Sequence, residues 1–258
     1  MKIAQSSYWP MLWKHYFKAP SVALCRVPEL EYAASLNAKE NFLDHCCGDG
    51  YFASLAWKQE RIFAGCDISE NSIALAEKIG IYRRLDICDA SISLPYETET
   101  FDVVFNNSAL EHIRDLDAAL LEISRVLRPG GTLAFNVLNH RYFEWWPLDG
   151  NSQQAYRDWQ PFYHALSIGE WKQRLSKAGL EIFDHKGYFD REISQRFAKL
   201  DYLFSGYYIR GLNSWYVKMY LRLNSLISSI LKRQLEGLDW KTDPDAGAGY
   251  FIQAVRAS

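Results

Sequence analysis

A glycine loop and two aspartates have the types and spacing to hold a nucleotide-like ligand. Residues 41–50 predict a buried strand that ends at Asp44 and runs into a loop with Gly48 and Gly50. Glycines permit positive φ and close backbone approach, and the helix that follows directs its N-terminal amides at the same place. About twenty residues later, Asp67 ends a second apolar strand, where a carboxylate can accept hydrogen bonds from both hydroxyls of a ribose.

Two further segments carry polar residues at predicted strand ends. Asp89 follows a third strand over residues 82–88. Residues 101–112 predict a fourth strand that leads into a helix, and Asn106 stands at the end of that strand. In an open parallel sheet these strand ends meet at one rim, so we expect the side chains to surround a single ligand site.

The order and spacing of these motifs resemble a class I S-adenosylmethionine (SAM)-dependent methyltransferase. The motifs are Leu-Asp-x-x-Cys-Gly-Asp-Gly at 43–50, Gly-Cys-Asp-Ile-Ser at 65–69, Asp-Ala at 89–90 with Leu-Pro-Tyr at 94–96, Leu-Glu-His at 110–112, and Arg-Val-Leu-Arg-Pro-Gly-Gly at 125–131. The resemblance covers residues 40–188 and a closing strand at 250–255. It is closest to the broad group that methylates small molecules and lipids.

The alternation of strands and helices between residues 41 and 137 predicts a parallel sheet with helices on both faces. The resemblance implies an α/β, Rossmann-like, doubly wound sheet of seven strands, mostly parallel, with the last strand antiparallel. We predict an aromatic arm and cap helix over 1–40, a SAM-binding core over 41–188, a helical lid insertion over 189–248 and a closing strand over 249–258. Within the core, residues 138–166 form a long substrate-side connection.

The resemblance assigns cofactor contacts to nine positions. They are Asp44, Cys46, Gly48, Gly50, Asp67, Ile68, Asp89, Ala90 and Asn106. It implies that Asp44 and the backbone carbonyl of Asn106 hold the methionine end of SAM. Asp67 would bind the ribose hydroxyls, and the two glycines would bring backbone amides against the ligand.

The adenine ring is expected to lie beside Ile68 and Ala90, with Asp89 accepting a hydrogen bond from its amino group. Cys46 departs from the family, which usually has glycine at this position. A side chain there predicts weaker cofactor binding or a shifted pose.

Methyl transfer from SAM needs an aligned acceptor, and a general base only for some acceptors, such as a hydroxyl. His140, directly after the fifth predicted strand, and His112, in the Leu-Glu-His motif, are the candidate bases. A hydrogen-bonded loop histidine and a packing residue near SAM are the respective alternatives. Aromatic side chains accept stacked rings and bury large apolar surfaces. The candidate acceptor contacts are Trp9, Trp13, Tyr142, Trp145, Trp146, Tyr163 and His164.

Composition narrows the class of protein. The chain has 258 residues, 48% of them hydrophobic, which suits one sizeable core. Its 29 basic and 31 acidic residues give a net charge of −2, so we expect no nucleic-acid partner. Five cysteines without Cys-x-x-Cys spacing predict reduced thiols and no metal site. No apolar run suits a signal peptide or a membrane span, so we expect a cytoplasmic protein.

The predicted insertion is basic and amphipathic. Between Arg191 and Lys241 there are nine Lys or Arg against four Asp or Glu residues, and apolar residues recur at helical spacing over 212–233. A helical lid packed on the core fits this pattern. A helix that makes peripheral contact with a membrane fits it as well.

Three functions are compatible with the sequence. The first is SAM-dependent methyl transfer by direct displacement to a small apolar, aromatic, lipid-like or sugar-bearing acceptor, with S-adenosyl-L-homocysteine (SAH) as the product. The second is a peripheral membrane methyltransferase that acts on a lipid or a lipid-linked glycan. The third is a SAM-binding protein without catalysis.

Overall fold

The computed structural model describes residues 1–36, 41–57, 62–210, 218, 222 and 224–257. Its strands are β1 (Phe42–His45), β2 (Ile62–Asp67), β3 (Tyr82–Ile87), β4 (Phe101–Asn107), β5 (Leu127–Leu138), β6 (Leu180–Tyr188) and β7 (Gly249–Arg256). They form one sheet in the order β3-β2-β1-β4-β5-β7-β6, with β7 antiparallel. The predicted Rossmann-like, seven-stranded architecture is therefore confirmed.

Helices connect most of these strands, as in a doubly wound fold, whereas β4 follows β3 directly. The helices are α1 (Trp9–Tyr16), α2 (Pro20–Ala33), α3 (Tyr51–Ala56), α4 (Glu70–Ile79), α5 (Leu116–Val126), α6 (His140–Glu144), α7 (Gly150–Trp159), α8 (Ile168–Lys177), α9 (Arg191–Arg210) and α10 (Asn224–Glu236), with 3-10 turns at Ile3–Gln5 and Leu110–His112. Local caps start several of them. Ser69 accepts a hydrogen bond from the Ser72 amide at the start of α4, and Asp115 accepts one from the Ala118 amide at the start of α5.

The central strand β1 is buried along its whole length, as expected for a parallel strand covered on both faces. It lies between β2 and β4, with Asp44 opposite Gly65 on one side and Phe105 on the other. The carboxyl ends of β1, β2 and β4 therefore meet at one rim of the sheet.

The connection predicted over residues 138–166 is partly helical. The structure has two helices there, α6 and α7. Asp149 caps α7 by accepting a hydrogen bond of 2.8 Å from the Ser152 amide, and the rings of Tyr142 and Trp146, one helical turn apart in sequence, pack edge to face. The aromatic spacing and this cap are helical signals that the sequence contains.

The chain divides into two compact units. Unit 2 comprises residues 32–139, 163–186 and 250–258 and contains most of the sheet. Unit 1 comprises residues 1–31, 140–162 and 187–249 and is mainly helical. The interior of unit 1 is aromatic, and its fully buried rings are Trp9, Tyr142, Tyr156, Tyr188, Phe189 and Trp240. Residues 140–162 thus group with the terminal segment and the insertion rather than with the sheet.

The predicted basic helix over 212–233 is described only in part. Residues 211–217, 219–221 and 223 lie outside the described residues, and α10 covers Asn224–Glu236. Among the helices that the structure describes, none is both long enough and apolar enough to cross a bilayer.

Candidate functional site

A pocket of about 440 Å³ opens in unit 2 at the carboxyl ends of the central strands. Ligand sites in proteins commonly have volumes of roughly 300–1,000 Å³. Seven of the residues predicted from the sequence line the pocket: Cys46, Asp67, Ile68, Asp89, Ala90, His112 and Tyr163. Five lining residues were missed, namely Cys88, Ser91, Ala109, Ile113 and Arg114. Each of the five lies within three residues of a predicted one, so proximity to the motifs could have found them.

The Asp67 carboxylate is held in place by two backbone amides. The Gly48 amide donates to one carboxylate oxygen at 3.0 Å and the Ser69 amide to the other at 2.9 Å. Each carboxylate oxygen has two acceptor sites, so both can still accept a hydrogen bond from a ligand. The link to Gly48 also ties the glycine loop to the end of β2.

The loop after β1 follows a left-handed backbone at three positions. Cys46 has φ +58°, Gly48 has φ +56° and Gly50 has φ +76°. A Cβ on Gly50 would lie 3.0 Å from the Tyr82 ring, whereas a Cβ on Gly48 would meet open space. A side chain in the left-handed region costs roughly 1–2 kcal/mol. This cost gives a physical reason for the glycine that the family usually has at position 46.

Two hydrogen bonds from Ser91 hold the Asp89 carboxylate. Its Oδ1 accepts hydrogen bonds from the amide of Ser91 at 2.9 Å and from its hydroxyl at 2.6 Å. These hydrogen bonds lower the pKa of the Asp89 carboxyl below its usual value. Ile68 lines the same pocket with an apolar side chain and is 66% exposed. The pocket therefore combines two carboxylates with an open apolar surface.

Comparison with known proteins identifies this arrangement. Residues 43–135 match the family described as a methyltransferase domain. A relative from Mycolicibacterium smegmatis, named "Probable S-adenosylmethionine-dependent methyltransferase", is 29% identical over 189 residues, which cover 72% of this chain and 65% of the relative. A ubiquinone biosynthesis O-methyltransferase of Parvibaculum lavamentivorans is 27% identical over 161 residues, covering 57% of this chain and 60% of the relative. The chain thus spans less than two thirds of either relative's length.

Solved structures of other proteins have a similar fold. A SAM-dependent methyltransferase of Thermotoga maritima superposes with a TM-score of 0.59 at 17% identity, covering 96% of this chain and 97% of the other. Residues 43–135 form a methyltransferase domain, and the resemblance of the sequence to class I SAM-dependent methyltransferases is confirmed. A [4+2]-cyclase also shares the fold, with a TM-score of 0.58 at 20% identity over 92% of this chain and 82% of the cyclase.

The cofactor of this methyltransferase family is SAM, and the residues of the pocket suit it. Asp67 offers a preorganised acceptor for the ribose diol, and Asp89 offers one for the adenine amino group. Ile68 gives the adenine ring an apolar surface. The open space beside Gly48 leaves the loop backbone accessible to the ligand.

Replacing Gly48 with alanine tests the role of this loop in cofactor binding. The left-handed backbone makes the change cost about 1–2 kcal/mol of stability. We also expect SAH affinity to fall about tenfold, because the new methyl group projects into the open space beside the loop. Gly80→Ala is the matched control, since Gly80 ends α4 with φ +73° and open space around its Cβ position. Calorimetry that finds equal SAH affinities for both variants would contradict the prediction.

Asp44 lies beneath the loop and is not part of the pocket wall. The Tyr82 hydroxyl donates a hydrogen bond of 2.6 Å to its carboxylate. Burial raises the pKa of Asp44 to about 7, the Tyr82 hydrogen bond opposes this rise, and the nearby charge of Asp67 adds to it. The predicted contact of Asp44 with the methionine end of SAM stays a prediction.

Asn106 connects β1 with the turn that carries His112. Its amide nitrogen donates to His45 Nδ1 at 2.8 Å and to the His45 carbonyl at 3.0 Å. Its amide oxygen accepts from the Ala109 amide at 3.3 Å and from the Leu110 amide at 3.2 Å. His45 is fully buried, and burial lowers its pKa to about 4. No local sequence pattern indicates this link, because it joins residues 61 positions apart.

The pKa values of Asp44 and His45 shift in opposite directions, so we expect their effects on the pH dependence of stability to offset each other. The raised pKa of Asp44 stabilises the fold fully below pH 3.8, and this contribution is lost as pH rises through about 7. The lowered pKa of His45 stabilises the fold above pH 6.5, and this contribution is lost as pH falls towards 4. Each group changes the free energy of unfolding by about 1.4 kcal/mol per pH unit, so the two contributions offset each other between pH 4 and 6.5.

The Asp44→Asn variant removes the pH-dependent contribution of Asp44 to stability and leaves that of His45. We expect the variant to lose about 1.4 kcal/mol of stability relative to wild type for each unit of acidification from pH 7 to 4. Urea unfolding at several pH values measures the difference. His45→Asn should show the reverse trend, and parallel pH profiles for all three proteins would contradict the assignment.

The segment after α7 forms the wall beside His112. The amides of Tyr163 and His164 donate to the Glu111 carbonyl at 2.9 and 3.2 Å. The Arg114 guanidinium lies over the Tyr163 ring, 5.3 Å from its centroid. His164 Nε2 lies 3.2 Å from the Arg114 carbonyl. Tyr163, predicted as an acceptor contact, therefore lines the same pocket as the predicted cofactor residues.

The remaining predicted residues belong to unit 1, whereas every pocket residue belongs to unit 2. Trp9, Trp13 and Tyr142 are buried in the interior of unit 1, which makes them packing residues of that unit. Trp145 and Trp146 are half-buried there. His140 is the first residue of α6, and its Nε2 lies 3.9 Å from Glu144. Acceptor contact and base catalysis by these residues stay predictions.

Proposed function

We propose that this protein binds SAM in the pocket of unit 2 and transfers its methyl group to a small-molecule acceptor by direct displacement, releasing SAH. One observation carries the proposal. In this methyltransferase domain, Asp67, Asp89 and Ile68 line one pocket at the sheet rim, and the Gly48 amide is bonded to the first of them.

The residues of the chain supply binding and alignment. SAM, when bound, supplies a methyl group already activated on a sulfonium. Asp67 would hold the ribose and Asp89 the adenine, while the Asn106 carbonyl would accept from the methionine ammonium. Fixing both ends of the cofactor orients the methyl group for in-line attack and excludes water from it.

The acceptor that we propose is apolar, aromatic, lipid-like or sugar-bearing. The exposed Tyr163 ring in the pocket wall supports this choice, because aromatic walls suit rings and long apolar chains. The ubiquinone biosynthesis O-methyltransferases among the relatives support an oxygen acceptor. An oxygen acceptor needs a base near neutral pKa. His112, which lines the pocket, and His140 are our candidates for that base.

Calorimetric titration with SAH, SAM and NAD tests the cofactor. We expect micromolar binding of the two sulfur ligands and none of NAD. Methyl transfer from labelled SAM is then measured on quinol, phenol, lipid and glycan acceptors. If neither sulfur ligand binds, the proposed function fails.

The fold match to a [4+2]-cyclase supports one alternative, a SAM-binding protein that does not transfer the methyl group. The strained Cys46 in the position of the family's glycine supports the same alternative. SAH binding without methyl transfer to any acceptor class would favour it.

The basic composition of residues 191–241 supports a second alternative, a peripheral membrane methyltransferase. Flotation with anionic vesicles at low salt tests this version. Protein that stays at the bottom of the gradient would exclude it and leave the first proposal intact.

A further inference from the structure

Three thiols surround the cofactor pocket. Cys66 is the residue before Asp67, Cys88 is the residue before Asp89, and Cys46 lies in the glycine loop. Cys46 and Cys88 line the pocket, and all three are free thiols. The two carboxylates that we assign to SAM therefore each follow a cysteine directly.

Cys66 and Cys88 stand next to each other across the β2–β3 ladder. Cys66 pairs with Asp86, and side chains two residues apart on a strand share a face, so Cys88 continues the row to which Cys66 belongs. The Cys88 amide also donates to the Asp67 carbonyl at 3.1 Å, which holds the two strand ends together. Cys88 also packs against the buried cluster that contains Cys66.

The environments of the two thiols differ. Cys88 is half-buried in the pocket wall, and the neighbouring Cys66 thiol lowers the pKa of its thiol. Cys66 is fully buried, and the neighbouring Cys88 thiol together with burial raises the pKa of its thiol well above the usual value. Burial also raises the pKa of Cys46. Since the thiolate is the nucleophile, Cys88 is the thiol with which a small oxidant in the pocket reacts first.

We propose that Cys88 and Cys66 form a peroxide-sensitive thiol pair that controls access of the cofactor. The Cys88 thiolate attacks one oxygen of hydrogen peroxide, which gives a sulfenic acid and releases hydroxide. The Cys66 sulfur then attacks the Cys88 sulfur, a disulfide forms, and the sulfenic oxygen leaves as water after taking up the thiol proton. Peroxide accepts the two electrons, and a dithiol reductant returns them.

The disulfide changes the pocket because of its position. A bonded sulfur pair is about 2.05 Å apart, much closer than two sulfurs in van der Waals contact, so the chain must shift at both residues. The residues that follow are Asp67 and Asp89. Moving these carboxylates away from the ribose and adenine weakens SAM binding, and bound SAM in turn shields Cys88. The control of binding rests on the proposed function, whereas the disulfide itself does not.

Peroxide treatment of the reduced protein tests the pair. Peptide mapping by mass spectrometry is expected to find a link between Cys66 and Cys88. We expect SAH affinity to fall about tenfold or more, because displacing binding groups by an ångström has effects of this size. Dithiothreitol should restore the affinity, and saturating SAH added before peroxide should slow formation of the link.

Variants identify the pair. Cys88→Ser and Cys66→Ala should each keep the same SAH affinity before and after peroxide, so any effect of the substitution itself cancels. Cys25→Ser, which changes a buried cysteine of unit 1, should respond to peroxide as wild type does. Cys46→Ser should still form the link.

Three results would overturn the proposal: no Cys66–Cys88 link, a link from Cys88 to Cys46, or the expected link with SAH affinity unchanged. A reduced protein that does not bind SAH contradicts the proposed function instead. Mapping of the disulfide would still decide whether the thiol pair exists.

Discussion

The Asp67→Ala variant is expected to lose SAH affinity by about 100-fold, because two hydrogen bonds from the ribose hydroxyls to a carboxylate are removed together. Hydrogen bonds to charged groups contribute roughly 1.5–3 kcal/mol each, and 1.4 kcal/mol corresponds to a tenfold change in affinity. The loop is affected as well, since the amides of Gly48 and Ser69 lose their acceptor. Calorimetric titration measures the loss directly.

Asp102→Ala is the matched control for this experiment. Asp102 is also a strand aspartate, but it stands at the start of β4, away from the rim, and pairs with Arg128 at the surface. Losing such an exposed ion pair costs about 0–1 kcal/mol of stability and should leave SAH affinity unchanged. If Asp67→Ala bound SAH as tightly as the control, Asp67 would be a structural residue of the loop and not the ribose ligand.

Phe105→Ala should be the most destabilising of the proposed changes. Phe105 is fully buried in β4, with ring centroids of Trp57 at 5.0 Å, Phe52 at 5.8 Å and Phe42 at 6.5 Å. Removing a buried phenylalanine ring usually costs about 3–5 kcal/mol, through lost burial and the cavity that remains. A shift of the urea midpoint to lower concentration measures this cost.

Phe183→Ala provides the comparison for the core variant. It makes the same chemical change in β6, where the ring is 57% exposed. Exposed substitutions usually change stability by less than about 0.5 kcal/mol. Similar midpoints for the two variants would mean that the stack around Phe105 contributes little to the fold.

Local sequence patterns were sufficient to predict the bounds of several strands of the sheet. The predicted strands at 62–67 and 180–188 have the bounds that the structure gives to β2 and β6. An apolar run of strand length and the glycine or polar residues that end it lie within one short segment. The rim of ligand-facing loops followed as well, because right-handed crossovers between parallel strands leave few other arrangements.

The motifs also located the pocket, since strand-end residues need only the strand order to be brought together. Asp67 and Asp89 were named from their positions at predicted strand ends, and Ile68 and Ala90 were named from the family resemblance. All four line one cavity. The sequence also identified Cys46 as unusual. Its φ of +58° is a property of the folded loop.

The sequence by itself determined the strands of the core, the motif residues at the rim and the resemblance to the methyltransferase family, because these depend on neighbouring residues and on connection rules. Only the tertiary structure decided that His45 is buried against Asn106, that Tyr82 donates to Asp44 and that Cys88 packs against the cluster of Cys66. It also decided that residues 140–162 pack with the terminal segment in unit 1. Such contacts join residues far apart in the chain, and they form only when side-chain packing selects one partner among many of similar chemistry.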